Sequence, residues 1–271
     1  MNRRILAAAA AIALLLPAAA AHAAYSPATT NGWFTTAGRT AGGATHTDLW
    51  LFNPDLAGLA TVTLVFHPAV ASGAGAGTPV SSSFIILAAR ETKYFADETA
   101  SVVLAADGVF GAIEWQSNLP LLGLSRNVSA GGGGTLGPIV SATPQNESMT
   151  PKASVGDAIN VLQLVGLNSG DANFSSRLDI ANTSDVVLPI EVRVVDVNAF
   201  IGSTQSFSIA PRSLLRAGNI LQAVGATFKD GLRITVGITA GTSVPSGGIV
   251  AMATVTDSRS GESFAALGQR Q

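Results

Sequence analysis

The chain has 271 residues, of which 12% are charged and 47% are hydrophobic, and its formal net charge is −2. A near-neutral chain offers neither the basic stripe that binds nucleic acid nor a cationic face for anionic lipid, so we expect neither partner. Because there is no cysteine, disulfides and thiolate metal ligands are excluded. A surface with so few charged residues provides little electrostatic repulsion against self-association.

Residues 1–23 are predicted to be an export signal. Arg3-Arg4 precede a long apolar run, and the small residues of Ala21-His22-Ala23 suit cleavage after position 23. Pro17 interrupts a run that is already short for a membrane span of about 20 residues, so an uncleaved anchor is the less favoured alternative. We expect an exported protein, periplasmic or extracellular, with no membrane insertion after signal cleavage.

Strand signals dominate the remaining chain. Four short segments are rich in β-branched residues or alternate in polarity, and turn residues bound each of them. They are residues 61–66, 82–87, 190–195 and 249–255. Two turns at equivalent places, Asn53-Pro54-Asp55 and 182–185, are predicted to close a hairpin in each half. Helix signals are few, and the best are residues 96–104 and 217–224, where Asp97 or Asn219 would cap a short helix.

An internal duplication organises these elements. A shift of 123 positions aligns Phe84 with Phe207 and Asp107-Gly108 with Asp230-Gly231. A shift of 129 positions aligns residues 47–53 with residues 176–182. A longer glycine-rich loop at residues 72–77 accounts for the difference. One module is therefore used twice, as residues 24–145 and 146–271, with a polar, proline-containing boundary. The predicted fold is all-β, two tandem immunoglobulin-like β-sandwiches, each with one short crossover helix.

Catalytic equipment is sparse in the sequence. His46 and His67 are the only histidines after cleavage, and they do not have the spacing of metal ligands or of a Ser-His-Asp triad. We therefore expect no catalytic residue, no cofactor, no metal and no enzyme activity. Asp185, Asp196 and Asp257 lie in predicted turns and leave a calcium site open, although no calcium-loop spacing supports one.

Carbohydrate is the alternative ligand. Glu114 and Trp115 are neighbours in one predicted strand, and an acid beside an aromatic ring can hold a sugar. Glu91, Asp97, Glu98 and Glu114 are the carboxylates that glycoside hydrolysis would require. The alternative prediction is a carbohydrate-binding or carbohydrate-cleaving secreted protein that uses Trp50, Trp115 and Glu114.

The alignment of the strands predicts that the outer sheet face is apolar in the first half and charged in the second. Side chains alternate along a strand, so the alignment sorts them into two sides. The predicted core positions are Leu49, Leu51, Thr61, Thr63 and Val65, matched by Leu178, Ile180, Ile190, Val192 and Val194. The predicted outer positions are Trp50, Phe52, Val62, Leu64 and Phe66 in the first half, against Asp179, Glu191 and Arg193 in the second. An apolar face of that size is covered within the chain or docks a partner.

Four segments resemble those of a known group. They are residues 47–54, Ser125-Arg126-Asn127, residues 134–137 and residues 255–262. With them the chain resembles uncharacterised exported bacterial proteins with tandem immunoglobulin-like β-sandwich domains. The resemblance implies the fold and brings no catalytic residues. We expect a non-enzymatic structural, adhesion or protein-interaction protein of the cell envelope or exterior, with a protein partner or self-assembly, or a glycan as the alternative.

Overall fold

The structure is a computed structural model that describes residues 27–97, 108–129, 135–150, 161–167, 173–195, 200–223, 231–260 and 262–270. The predicted export signal, most of the first predicted helix and the glycine run at 131–134 lie outside these ranges. The described chain is nearly all β, as predicted, and its strands pair antiparallel, with one isolated parallel bridge described between Ala69 and Leu214. Within these ranges, no helix has the length and apolar character needed to cross a membrane.

The first half of the chain, up to Pro144, folds into two sheets that share one long strand. Its strands are β1 (Thr29–Gly38), β2 (Thr45–Phe52), β3 (Ala60–Pro68), β4 (Val80–Ser81), β5 (Ile85–Leu87), β6 (Thr92–Phe95), β7 (Phe110–Ser129), β8 (Thr135–Ser141) and β9 (Thr143–Pro144). Residues 110–117 of β7 pair with β1 and β3, and residues 122–129 pair with β2 and β8. The strand β7 therefore crosses from one sheet to the other.

The second half begins with a 3-10 turn at Gln145–Glu147 and repeats the same strand order. Its elements are β10 (Leu162–Leu167), β11 (Phe174–Asn182), β12 (Leu188–Val195), β13 (Phe200–Ile209), β14 (Ser213–Ala217), α1 (Ile220–Ala223), β15 (Leu232–Ile238), β16 (Ile249–Asp257), β17 (Ser263–Leu267) and β18 (Gln269–Arg270). One sheet has the order β13-β12-β15-β10-β18 and the other β14-β11-β16-β17. The helical turn α1 falls inside the segment 217–224.

Each half has its own hydrophobic core between its two sheets. The first core is built from buried residues between Phe34 and Ala142, and the second from buried residues between Met149 and Val255. A third, smaller apolar cluster joins the halves, because Trp33 and Ala112 of the first pack against Ala181, Leu214 and Val250 of the second.

The two predicted hairpin turns are in fact corners between sheets, so that prediction is wrong. The strand β2 pairs with β6 and β7, whereas β3 pairs with β4, β5 and β7. At the corner the buried Asn53 amide donates to the carbonyls of Gly58, Leu87 and Ala88. Those bonds satisfy backbone groups that turn away from both sheets, which is why the chain can leave one sheet here and enter the other.

The second corner has the same construction around Asn182. Its amide donates to the carbonyls of Val186, Ile209 and Ala210. The first acceptor is four residues beyond Asn182, whereas Gly58 is five residues beyond Asn53. The first corner is therefore one residue longer than the second.

That extra residue overturns part of the predicted face assignment. Side chains on β3 are out of phase with the prediction, because Val62, Leu64 and Phe66 are buried in the first core. The alternating Thr61, Thr63 and Val65, predicted as core, are only partly buried. The assignment is correct on β2, where Leu49 and Leu51 are buried, and on the two equivalent strands of the second half.

The predicted match between Phe84 and Phe207 slips by one residue in the same way. Phe207 pairs with Ile190 and packs against the second core, and the residue that pairs with the equivalent Val62 is Ile85. Phe84 itself is 79% exposed. Ile85 is therefore the structural counterpart of Phe207.

Candidate functional site

One outer sheet face of the first half remains accessible and aromatic; we call it the aromatic face. It is formed by outward side chains of the sheet β6-β2-β7-β8, which are Tyr94, Trp50, Phe52, Leu122, Leu124 and Ile139. Pairing across the strands places Trp50 between Tyr94 and Leu124. The rings of Trp50 and Tyr94 stack with their centroids 4.9 Å apart and their planes at 23°.

A buried carboxylate supports one end of the aromatic face. The two oxygens of Asp48 accept bonds from the Tyr94 hydroxyl at 3.0 Å, the Arg126 guanidinium at 3.0 Å and the backbone N–H of Asp97 at 3.3 Å. The Arg126 guanidinium also lies 5.2 Å from the Trp50 ring centroid. Partial burial and the neighbouring Asp48 raise the pKa of Tyr94, so its hydroxyl stays protonated and donates. These contacts hold both rings in one orientation.

A shallow apolar pocket of about 190 Å³ opens on this face. It is lined by Trp50, Phe52, Thr92, Leu122, Gly123, Leu124 and Ser141. At the edges of the face, Tyr94 is 49% and Ile139 is 62% exposed. The predicted outer residues Trp50 and Phe52 therefore lie at an accessible site, whereas Val62, Leu64 and Phe66, predicted beside them, do not.

Of the six residues of this face, the sequence predicted Trp50 and Phe52 and missed the other four. Leu122, Leu124 and Arg126 alternate with small residues along β7, and that alternation is a signal that could have identified them. Tyr94 lies on a strand of only four residues, too short to show a period. The contributions of β6 and β8 depend on pairing between strands far apart in sequence, which one sequence does not reveal.

The equivalent face of the second half is covered. The corner asparagines align the strands, so Trp50 and Phe52 occupy the positions of Asp179 and Ala181. Ala181, Leu214 and Val250, which stand where the first half has Phe52, Thr92 and Leu122, pack against Trp33 and Ala112 of the first half.

The covered face also carries a buried ionic cluster around Asp179. Its carboxylate accepts from Arg177 Nε at 3.0 Å, from Arg216 Nε at 3.3 Å and, across the interface, from the Thr36 hydroxyl at 2.8 Å. Asp179 was predicted to be solvated, but it has no exposed surface because the first half lies over it. Burial and the nearby charge of Arg177 together lower the pKa of Arg216 more than the adjacent Asp179 raises it.

The predicted glycan contacts Trp115 and Glu114 are both buried, so neither can contact a sugar at the surface. Trp115 fills the first core, where Gly32 leaves room for its ring, and its indole N–H donates to the Thr29 carbonyl. The two neighbours point to opposite sides of β7, because side chains alternate along a strand. Trp115 is thus a core residue, and Glu114 belongs to the interface.

Glu114 is the centre of a polar cluster that joins the halves. One carboxylate oxygen accepts from Asn31 and Gln116, and the other from His67 Nε2 and from Arg212 of the second half, all at 3.1 Å. Burial raises the pKa of Glu114, but the hydrogen bonds of His67 and Gln116 and the charge of Arg212 outweigh it. The pKa therefore lies below its ordinary value of 4.5.

Aromatic contacts seal this cluster. The His67 ring stacks on Trp33 with centroids 5.0 Å apart, and the Arg212 guanidinium lies 5.7 Å from the Trp33 ring. The Trp33 indole donates to the Gln145 side chain, whose amide donates to the Thr183 carbonyl. Among the described residues, no group of three or more His, Asp or Glu side chains could hold a metal ion.

Comparisons with known proteins add little to this geometry. No family model and no curated protein matches the chain. A solved structure with some likeness is the crystal structure of Thermotoga maritima 1070, with a TM-score of 0.32 and 12% identity, covering 42% of this chain and 93% of that one. So low a score supports no argument about fold or function.

Proposed function

We propose that the protein is a non-enzymatic interaction protein, exported to the periplasm or beyond, that binds a protein partner through the aromatic face. The observation that carries this proposal is the contrast between equivalent faces. The face around Asp179 is buried against another β-sheet, whereas the same face around Trp50 is open and apolar. A contiguous apolar patch that stays exposed on a folded protein marks an interaction site or a ligand-binding groove.

The ionic clusters support a structural role for the most buried carboxylates. Glu114 and Asp179 each accept hydrogen bonds from arginine and from groups of the other half. A carboxylate that is held by several donors at an interface is not available as a general base. This arrangement fits a rigid two-domain protein, residues 24–145 and 146–271, built from two copies of one module behind a cleaved signal.

The test replaces the aromatic face without disturbing a core. Trp50→Ser combined with Phe52→Ser should leave the thermal unfolding midpoint within a few degrees of wild type, because both side chains are only partly buried. The same double variant should lose binding to envelope fractions of the cells that produce the protein, measured by co-sedimentation of the purified chain.

A matched control exists in the same half. Phe84 and Ile86 are 79% and 60% exposed and lie away from the aromatic face. The double variant Phe84→Ser, Ile86→Ser removes two exposed apolar side chains and should keep envelope binding. Equal loss in both double variants would assign the binding to general surface hydrophobicity and contradict the proposal.

A glycan partner is the second candidate, and the stacked pair of Trp50 and Tyr94 favours it. Aromatic planes with adjacent polar groups are surfaces on which sugar rings pack, and Arg126 and Asp48 lie beside this pair. A glycan array probed with the wild type and with Tyr94→Ala separates the candidates. Binding that requires Tyr94 would favour carbohydrate over protein.

A further inference from the structure

We propose that the aromatic face binds the same face of a second molecule of this protein, giving a dimer with two-fold symmetry. The proposal rests on the proposed function and names its partner. Three observations carry it: what covers the equivalent face, which other surfaces of the chain could fit, and how charge is arranged on the face.

The occupant is a β-sheet, because the chain already shows what this kind of face binds. In the second half, the equivalent positions pack against strands β1, β3 and β7 of the first half. The open pocket beside Phe52 and Leu122 lies where the second half places Ala181 and Val250 against Trp33. The same position is thus a filled contact in one half and an open pocket in the other.

A head-to-tail chain of molecules is disfavoured by the surface it would need. The face equivalent to the one that carries Trp33 is the outer side of β13-β12-β15-β10-β18. In the first half Trp33 pairs with Glu114. At the equivalent positions of the second half, Gln163 pairs with Thr235. Arg193 lies 3.5 Å from Glu191 on the same side, and Arg233 donates to Gln163. This polar surface does not match an apolar pocket.

The aromatic face matches itself in both chemistry and charge. Asp48 and Arg126 form an ion pair at 3.0 Å within one molecule, so an identical face meets no uncompensated charge. A two-fold dimer is the commonest assembly that uses one patch twice, and it ends at two molecules. The net charge is −2 for the full chain and −4 once the predicted signal with Arg3 and Arg4 is removed, and either value adds little repulsion.

The size of the face sets the expected strength. The strand β2 and residues 122–129 of β7 each supply eight residues. The edge strands are shorter, with four residues in β6 and seven in β8, so at roughly 3.3 Å per residue and about 4.8 Å per strand the face covers about 430 Å². Two such faces bury roughly 860 Å², which is the size of a weak, transient interface, so we expect a dissociation constant on the order of micromolar or weaker.

The first test measures mass and the exposure of Trp50 together. Trp33 and Trp115 are buried, so Trp50 is the accessible one of the chain's three tryptophans. As concentration rises from about 1 to 500 µM, light scattering should show conversion of monomer to dimer. Quenching of tryptophan fluorescence by acrylamide should fall over the same range. A monomer with unchanged quenching at the highest concentration would overturn the proposal.

The second test uses opposite charges at the centre of the face. Leu124 lies on a central strand, opposite Trp50, and a two-fold axis near the middle of the face would bring it close to its own copy. Leu124→Glu and Leu124→Lys should each raise the dissociation constant at least about tenfold, because each would bury like charges. Mixing the two variants should restore association in a 1:1 complex. If both single variants still dimerise as wild type does, the dimer uses another surface and the proposal is wrong.

A second pair guards against variants that fail to fold. Ile139→Glu and Ile139→Lys alter a side chain that is mostly exposed at the edge of the same face, and each should weaken the dimer. Val165→Glu, at a comparably exposed position on β10, is the control and should dimerise as wild type does. A monomeric wild type whose envelope binding is still lost in the Trp50, Phe52 double variant would retain the proposed function and reject self-association.

Discussion

The faces around Trp50 and around Asp179 are the same structural position used in two ways. Each lies on the outer side of a four-strand sheet, and Trp50 and Asp179 each stand three positions before the asparagine that holds the corner. The second-half face has small apolar residues and a buried ionic cluster, and it is closed by the first half. The first-half face has large aromatic residues, and its ion pair of Asp48 with Arg126 lies within one sheet. Whether a sheet face docks against another sheet therefore depends on its position in the fold as well as on its apolar content.

The largest effect should come from removing the ionic centre of the closed face. Asp179→Ala leaves Arg177, Arg216 and Thr36 without their acceptor in a buried interface, and breaking a buried pair typically costs about 3–5 kcal/mol. Denaturant unfolding should show this loss. Trp50→Ser at the equivalent position should change the free energy of unfolding by less than about 1 kcal/mol. Equal costs at both positions would contradict the contrast between closed and open faces.

A somewhat smaller effect on the free energy of unfolding is expected on β3, at the side chains that the structure places in the core. Leu64 is buried in the first core, so Leu64→Ala should cost about 2–5 kcal/mol. Thr63, its neighbour on the outer side, should tolerate Ala at a cost below about 1 kcal/mol. The unfolding free energies of the two variants measure directly which side of β3 faces the core. The reverse order would restore the alignment that the sequence predicts.

Sequence alone could predict the all-β class and the core side of β2, β11 and β12, because a period of two marks a half-buried strand. It could not predict the core side of β3. That side depends on the one extra residue between Asn53 and the next strand, and a shift of one residue exchanges the two sides of a strand. Loop length at a corner leaves no periodic signal.

The interface residues were beyond prediction for a different reason. Glu114 lies 98 positions before Arg212 and 47 after His67, so the cluster exists only once both halves are folded and docked. In sequence, an acid beside Trp115 has the pattern of a sugar site. Because side chains alternate along β7, Glu114 and Trp115 point to opposite sides of the strand. Trp33, which stacks on His67, could not be recognised from the sequence as the residue that covers the second half.

A single hydrogen bond across the interface should have a smaller, measurable effect. Thr36→Val keeps the side chain's shape but removes the hydroxyl that donates to Asp179 at 2.8 Å. A hydrogen bond to a charged group contributes about 1.5–3 kcal/mol, and the two arginines still hold the carboxylate, so the cost should lie near the lower figure. In the double variant with Asp179→Ala, the Thr36→Val cost should largely disappear, which a double-mutant cycle measures. Additive costs would show that the two residues do not act together.

The smallest effect should be the pH dependence that Glu114 gives to the interface. Its pKa in the folded protein lies below the ordinary value of 4.5, so folding favours the ionised carboxylate. The unfolded chain then binds more protons than the folded one as the pH falls below 4.5. The stability that Glu114 contributes is complete above that pH and is lost as the pH falls through the folded pKa.

Glu114→Gln keeps an acceptor for His67 and Arg212 but cannot titrate. Its unfolding midpoint, measured from pH 7 down to pH 3, should fall less steeply below pH 4.5 than that of wild type. The Trp50→Ser, Phe52→Ser variant should keep the wild-type slope, because the open face contributes no contact between the halves. A wild-type slope in Glu114→Gln would mean that other carboxylates govern the acid response. The docking of the two halves would then depend on the apolar contact of Trp33 more than on the charge of Glu114.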